Sequence, residues 1–262
     1  MSVRCVPHSR HIALSALVLF AWSSEPGTTC ARAQEPAQAE GLIALPEPLL
    51  EGDVSVEQAL RGRRSWRSYQ PGVLSLAQVG QILWAAQGVT HPWEEDRQAA
   101  VRERGRQALG LLRTAPSAGA LYPIELYLVV GHVEELDPAV YRYDPIEHGL
   151  QPVLPGDLRA PLRDAAHGQA WVGTPPAVLV IAGVVERTAV KYGERAERYV
   201  MIEAGAVAEN VYLQCESLQL ATVLVGAFRD EDVGDVLGLA DGEAAYAIMP
   251  IGLRRDDQRT VP

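Results

Sequence analysis

Three short stretches of the sequence concentrate residue types that can bind or transform a ligand. The first is Arg61-Gly62-Arg63-Arg64-Ser65-Trp66-Arg67-Ser68-Tyr69, with four arginines and two seryl hydroxyls in nine residues. Guanidinium forks hold phosphate bidentately and serine adds a hydroxyl donor. The stretch therefore fits an anion site, although a solvated basic turn has the same composition. The second runs from Arg113 through Pro116-Ser117-Ala118-Gly119 to Pro123 and straight into an apolar segment. Small residues around Gly119 let backbone approach a planar ligand closely, and a purely structural turn would read alike. The Pro116–Ser117 pair is not a serine nucleophile elbow, and no Asp/His partners are placed to support one. The third is Leu224-Val225-Gly226-Ala227-Phe228, where a glycine at a strand edge can expose backbone N–H groups; a structural turn fits here too. One further residue stands out by type. Of 23 basic residues 22 are arginine, and the single lysine is Lys191, next to Tyr192. A compositional bias toward arginine accounts for the ratio but leaves open why this lysine remains.

These residues must be positioned by regular elements. Ser55 can cap a short helix over Val56–Gly62. Ser75 can cap a second helix reaching Ala86, with Leu76, Val79, Ile82, Leu83 and Ala86 at helical spacing, and Gly88 can close it. Ile124–Val130 reads as a strand, with weaker candidates near Tyr141–Tyr143 and Gln151–Leu154. Pro175-Pro176 introduces the run Ala177–Val184, which suits a buried strand. Arg195–Leu218 is the longest helical pattern and is apolar on nearly every side, as for a helix buried in a large core or a subunit interface. Thr222–Phe228 and Ala245–Ile251 read as further strands. Residues 92–110 are charged and irregular, as in a surface insertion or an exposed helix. Helices and strands do not alternate strictly, so the reading is α+β with a largely antiparallel sheet.

The chain has 262 residues, 48% of them apolar and 21% charged, with a net charge of −10. That composition suits a folded chain with a substantial core and excludes wholesale disorder. Net acidity argues against nucleic-acid binding and against adhesion to an anionic membrane surface. Residues 1–11 carry Arg4 and Arg10 and no acid, and Ile12–Trp22 is an 11-residue apolar run. A membrane span needs ~20 residues, so this run reads as the core of a signal peptide, with cleavage after Ala31-Arg32-Ala33; an uncleaved membrane anchor is the alternative. Removing residues 1–33 takes three arginines and one glutamate, leaving 20 basic against 32 acidic residues, or −12. The mature protein is then expected outside the cytosol, periplasmic or secreted, with no stable membrane insertion. Cys5 and Cys30 leave with the signal. Cys215 remains alone in an apolar helical pattern and reads as packing, with no metal-ligand cluster in the sequence.

Together and in this order the stretches resemble the FMN-dependent nitroreductase family, and within it the SagB/ThcOx-type dehydrogenases. The matching segments are RRSWRSY at 63–69, LSLAQVGQILWAAQGVT at 74–90, RTAPSAGALYPIELYLVV at 113–130 and KYGERAERYVMIEAGAVAENVYLQ at 191–214. The resemblance covers roughly residues 55–253, following a lead-in at 34–54 and preceding a tail at 254–262. It implies a nitroreductase-like α+β fold, with helices on a largely antiparallel mixed sheet and a long central helix at a dimer interface. It further implies a homodimer with FMN at that interface. Arg63, Arg64, Ser65 and Arg67 match positions near the ribityl-phosphate and pyrimidine end. Pro116, Ser117, Ala118 and Gly119 match the segment that meets the flavin from the other subunit. Val225 and Gly226 match backbone near flavin N5, and Gln169 a flavin-contacting amide. Arg255, or Arg254 beside it, matches a basic phosphate ligand.

The resemblance also assigns Lys191 and Tyr192 to catalysis. Azoline-oxidising members use such a pair to take a proton from the substrate carbon as hydride leaves to N5. Lysine can serve as that base because, unlike arginine, it can be deprotonated in a protein, given burial or a neighbouring cation. A cation near N1 and C2=O of the flavin favours its reduced form. The expected activity is hydride transfer between a small or peptidic substrate and FMN. The alternatives are an NAD(P)H-dependent nitro or quinone reductase and a flavin-free binding protein on the same fold. Export weighs against nicotinamide as the donor, and equally against azole formation on a ribosomal peptide, which belongs inside the cell with partner enzymes.

Overall fold

The structure is a computed structural model that describes residues 41–92, 111–255 and 257. The expected signal peptide, residues 1–33, lies outside the described residues, as does most of the charged segment 92–110.

Two helices begin as their local sequence dictates. In α1 (Val56–Gly62) the Ser55 hydroxyl accepts the Gln58 N–H while the Gln58 side chain accepts the Ser55 N–H. In α2 (Leu76–Gln87) Ser75 and Gln78 repeat the exchange, and Gly88 follows the last turn. Each capping box satisfies two N–H groups that a helix start leaves open.

A seven-stranded sheet forms the centre, in the order β1 (Ile43–Ala44), β6 (Gly149–Pro155), β5 (Ala139–Asp144), β4 (Ile124–Val130), β7 (Ala177–Val184), β9 (Glu243–Leu253), β8 (Leu220–Thr222). Every described ladder in it is antiparallel. Within the expected lead-in, Ile43–Ala44 contributes the edge strand. Side chains alternate across the two central strands. Leu126, Leu128, Leu179 and Ile181 face a core shared with α2 and the long helix α6 (Ala196–Ser217). Tyr127, Val129, Val178 and Val180 face a second core built with α3 (Arg159–Ala165), α4 (Ala170–Gly173) and α7 (Asp230–Leu237). Helices cover both faces, so β7 reads as an unbroken apolar run. Each fully buried leucine or isoleucine here contributes roughly 1.5–3 kcal/mol.

Two elements depart from the sequence reading. The segment expected as one strand over 222–228 is only β8 plus a single bridge, Val225 to Ile248. Between them the Leu224 N–H turns away to the Tyr212 hydroxyl, which takes the chain out of the ladder. Lys191 and Tyr192 end a helix, α5 (Val185–Tyr192), where only the strand before it was expected. The expected long helix is present as α6, buried along one stripe (Val200, Ala204, Val207, Val211, Cys215), while Met201 and Ile202 on its outer side are exposed in the single chain. β2 (Val89–Pro92) and β3 (Leu111–Arg113) form a separate antiparallel pair.

Candidate functional site

Glu203 and Tyr212 are buried polar-tipped side chains on the long helix α6. Nine residues at 1.5 Å per residue put them about 14 Å apart along the axis. Each organises one half of the expected site.

The arginine-bearing half gathers around Tyr212. Its hydroxyl lies 2.9 Å from Ser65 Oγ and accepts the Leu224 N–H at 2.8 Å. The Arg63 guanidinium sits 5.3 Å from the centre of the same ring and pairs with Glu209 at 3.4 Å. One side chain therefore joins the 63–67 stretch to the 224–226 stretch, although 147 residues separate Ser65 from Tyr212. The Trp66 N–H donates to the Thr222 carbonyl, which ties the same two stretches through backbone. Arg67 is exposed and lies 5.8 Å from the Trp171 ring. Arg64 folds back on its own turn, donating to the Arg61 and Arg63 carbonyls at 2.8 Å each. Gln169 Nε2 donates to the Ala166 and Ala227 carbonyls, so the amide clamps the loop after Gly226.

Val225 is buried beside the exposed Gly226. Its N–H and carbonyl are both spent on Ile248, which leaves Gly226 as the exposed backbone of that loop, with open space where a Cβ would stand. The two C-terminal candidates also part ways. Arg254 is buried and bidentate to Glu216 at 2.6 and 3.2 Å, with a further bond to the Leu220 carbonyl. Glu216 in turn packs under Gly62, where a Cβ would collide with its carboxylate. Arg254 is thus a fixture beneath α1, whereas Arg255 is exposed and reaches Asp257 at 3.2 Å.

The lysine-bearing half gathers around a strained turn. Gly119, Ala120 and Tyr122 all have positive φ (65°, 52° and 45°). Left-handed backbone costs a non-glycine residue roughly 1–2 kcal/mol, and such strain concentrates at functional sites. Side chains hold it in place. Ser117 Oγ accepts the Tyr122 N–H at 2.8 Å, and Arg187 donates to the Tyr122 carbonyl at 2.6 Å while pairing with Glu125. Glu203 Oε1 accepts the Ala118 N–H at 2.7 Å. Pro116 is exposed at the start of the turn. Gly119 lies against the Lys191–Tyr192 pair: a Cβ there would stand 2.8 Å from Lys191 Nζ and 2.9 Å from Tyr192 Oη. The Tyr192 ring packs edge-on to Tyr199 at 4.8 Å. The structure thus brings the lone lysine, its tyrosine and the Pro-Ser-Ala-Gly turn into one place. Lys191 itself is exposed in the single chain.

Burial pushes the Cys215 thiol up to about 12, so it is a packing group and not a nucleophile. Among the described residues no group of His, Cys, Asp and Glu could hold a metal ion, and no helix is long and apolar enough to cross a membrane. Sequence reasoning missed Tyr212 and Glu203. For Glu203 the signal was available: a carboxylate within a stripe of buried positions at three- and four-residue spacing, which an ordinary surface glutamate avoids.

The pattern of the nitroreductase family matches residues 60–253. A protein of Methanocaldococcus jannaschii named as a nitroreductase, MJ1384, is 39% identical over 200 residues, covering 76% of this chain and 91% of its own. The microcin B17-processing protein McbC of Escherichia coli is 29% identical over 142 residues, 52% of each chain. Among solved structures, one from Ralstonia eutropha JMP134 named as a nitroreductase superposes with a TM-score of 0.66 at 28% identity, over 86% of this chain and 97% of that one. The E. coli microcin synthetase McbBCD complex with truncated pro-MccB17 bound gives a TM-score of 0.59 at 22% identity, over 83% and 80%, and so shares the fold.

Proposed function

The chain belongs to the nitroreductase family of oxidoreductases, and from that premise we propose that it is an FMN-dependent dehydrogenase of the SagB/ThcOx type, exported and active as a homodimer. One observation carries this reading: the sole lysine and Tyr192 are packed on the Gly119 turn.

The residues present fit a flavin. Gly119 offers a close backbone approach and Gly226 an exposed amide with open space beside it. Arg63 lies over the ring of Tyr212, whose hydroxyl meets Ser65, Arg67 lies near Trp171, and Arg255 is exposed whereas Arg254 is buried against Glu216. Arg63, Arg64, Ser65, Arg67 and Arg255 would hold the phosphate and pyrimidine end, with Gln169 keeping the Gly226 loop in place. Pro116, Ser117, Ala118 and Gly119 would meet the ring from the second subunit. Bound FMN supplies N5 as the hydride acceptor.

Within the site Lys191 Nζ would take the proton from the substrate carbon, and the Tyr192 hydroxyl would orient the substrate by hydrogen bonding. The burial a lysine base requires would come from the second subunit or the substrate, because Lys191 is exposed in the single chain. Two features support the homodimer. The halves of the site are spaced along one helix, and Met201 and Ile202 on its outer side are left uncovered. The similarity to McbC, named for processing microcin B17, favours a small or peptidic substrate. The similarity to MJ1384 keeps nitro or quinone reduction with NAD(P)H as the second reading.

Purification of the mature chain tests the proposal. It should show a flavin band and release FMN in equimolar amount; colourless protein that refuses FMN on titration removes the enzyme reading. An anaerobic screen that bleaches the flavin separates the two chemistries, since NAD(P)H alone bleaches only a reductase. Lys191→Ala should keep its FMN and slow substrate-driven bleaching by about 100-fold or more, the usual scale for a lost general base. Bleaching at the wild-type rate rules out Lys191 as the base.

A further inference from the structure

Glu203 is the most deeply buried carboxylate near the site, at 4% exposure. Oε1 accepts the Ala118 N–H at 2.7 Å, while Oε2 is buried with no hydrogen-bond partner. Burial pushes its carboxyl above the ordinary range, opposed by the Ala118 N–H and the Ser117 hydroxyl. A charge-prone group with one oxygen unsatisfied is costly to bury, and a position that breaks the packing rule points to function. What Glu203 touches is the segment whose conformation is least favourable on its own, the turn with left-handed Gly119, Ala120 and Tyr122.

We propose that Glu203 is a positioning residue: by gripping the Ala118 amide it holds the 117–122 turn in its left-handed shape and thereby seats Gly119 against Lys191 and Tyr192. This rests on the functional reading above for its purpose, though the grip belongs to the chain alone. The geometry is specific. Ala118 directly precedes Gly119, so rotation of the 118 peptide would swing the Gly119 Cα off the lysine–tyrosine pair. The other side-chain holds, Ser117 on the Tyr122 N–H and Arg187 on the Tyr122 carbonyl, act at the far end of the turn. Glu203 is the side chain that holds its near end.

Glu203→Ala and Glu203→Gln in the full chain test this, because Gln retains a carbonyl oxygen that can accept the Ala118 N–H. The first measurement is amide hydrogen exchange at Ala118 and Gly119 without flavin, together with NMR shifts of the Tyr192 ring and the Lys191 ammonium. Glu203→Ala should exchange Ala118 at least about tenfold faster, the scale set by one hydrogen bond to a charged group, and should move both side-chain signals. Glu203→Gln should restore both. Wild-type protection in the Ala variant, or equal loss in both variants, overturns the proposal. If the Ala variant does not fold, Glu203→Asp, one methylene too short to reach, takes its place with the same expectations. The second measurement is FMN titration by fluorescence quenching, where affinity should fall in the Ala variant and return with Gln. If wild-type protein refuses FMN, the flavin reading fails while the exchange data still decide on Glu203. If FMN binds and exchange is unaltered, only the role of Glu203 fails.

Discussion

The two halves of the site are held by opposite strategies. The arginine-bearing half is stapled: Tyr212 bonds Ser65 and Leu224, the Val225 backbone is locked to Ile248, and Arg254 and Glu216 close a buried pair beneath Gly62. Its backbone is ordinary, with no positive φ in residues 63–67 or 224–226. The lysine-bearing half is strained: three of the four residues from Gly119 to Tyr122 have positive φ, and the buried carboxylate holding them keeps one oxygen unpaired. A stapled region suits a permanent ligand whose charged end must be held in place. A strained turn against a lysine suits the place where a proton moves, because small changes there displace reacting atoms before they unfold anything.

The largest effect should fall on the stapled half. Arg254→Ala leaves Glu216 buried without its cation and should cost about 3–5 kcal/mol, the usual loss when one partner of a buried pair is removed. Arg255→Ala should stay within about 0.5 kcal/mol, as exposed substitutions do. Urea unfolding of both variants decides; a loss below about 1 kcal/mol for Arg254→Ala would mean that the pair is not a staple.

The next effect contrasts two glycines. Gly119→Ala forces a Cβ into left-handed backbone, at about 1–2 kcal/mol, and pushes Lys191 Nζ and Tyr192 Oη aside. Gly226→Ala, whose new Cβ meets nothing within 4 Å, should change stability by less than about 0.5 kcal/mol. Thermal unfolding of the two, read with the Tyr192 NMR shift, breaks the comparison if the variants behave alike.

The smallest effect is in pH. The folded state holds the Glu203 carboxyl above its unfolded value, so the folded protein binds a proton more readily than the unfolded chain. The cost of burying the charge is present in full above the folded value and is relieved as pH falls through it toward the unfolded 4.5. Wild type should therefore gain stability relative to Glu203→Gln as pH drops from neutral toward 4.5, read as a converging pair of melting curves. Parallel curves would show that Glu203 is neutral throughout or is not buried as a charge.

Much of the fold was legible because it is written in short-range chemistry. The Ser-x-x-Gln boxes at Ser55 and Ser75, the apolar run Ala177–Val184 and the periodic stretch ending at Ser217 each need only their own neighbours to be recognised. The segment after Thr222 was misread because its apolar residues promised a ladder that a tyrosine hydroxyl from α6 interrupts. The site was legible as three stretches and a lysine, but not as an arrangement.

By itself, the sequence determined the residue types on which the proposed chemistry draws: a lone lysine beside a tyrosine, arginines around a serine, and glycines in the two turns. It also determined many of the helices and strands that carry them, though not the helix Val185–Tyr192 that ends on the lysine. Only the tertiary structure decided which arginine is spent on Glu216 and which stays exposed, that Tyr212 joins two stretches, and that Gly119 rests on Lys191. The physical reason is range. Capping and periodicity act over a turn or two of chain, whereas a hydrogen bond between residues 65 and 212 depends on how two elements pack. That packing is set by the whole core at once.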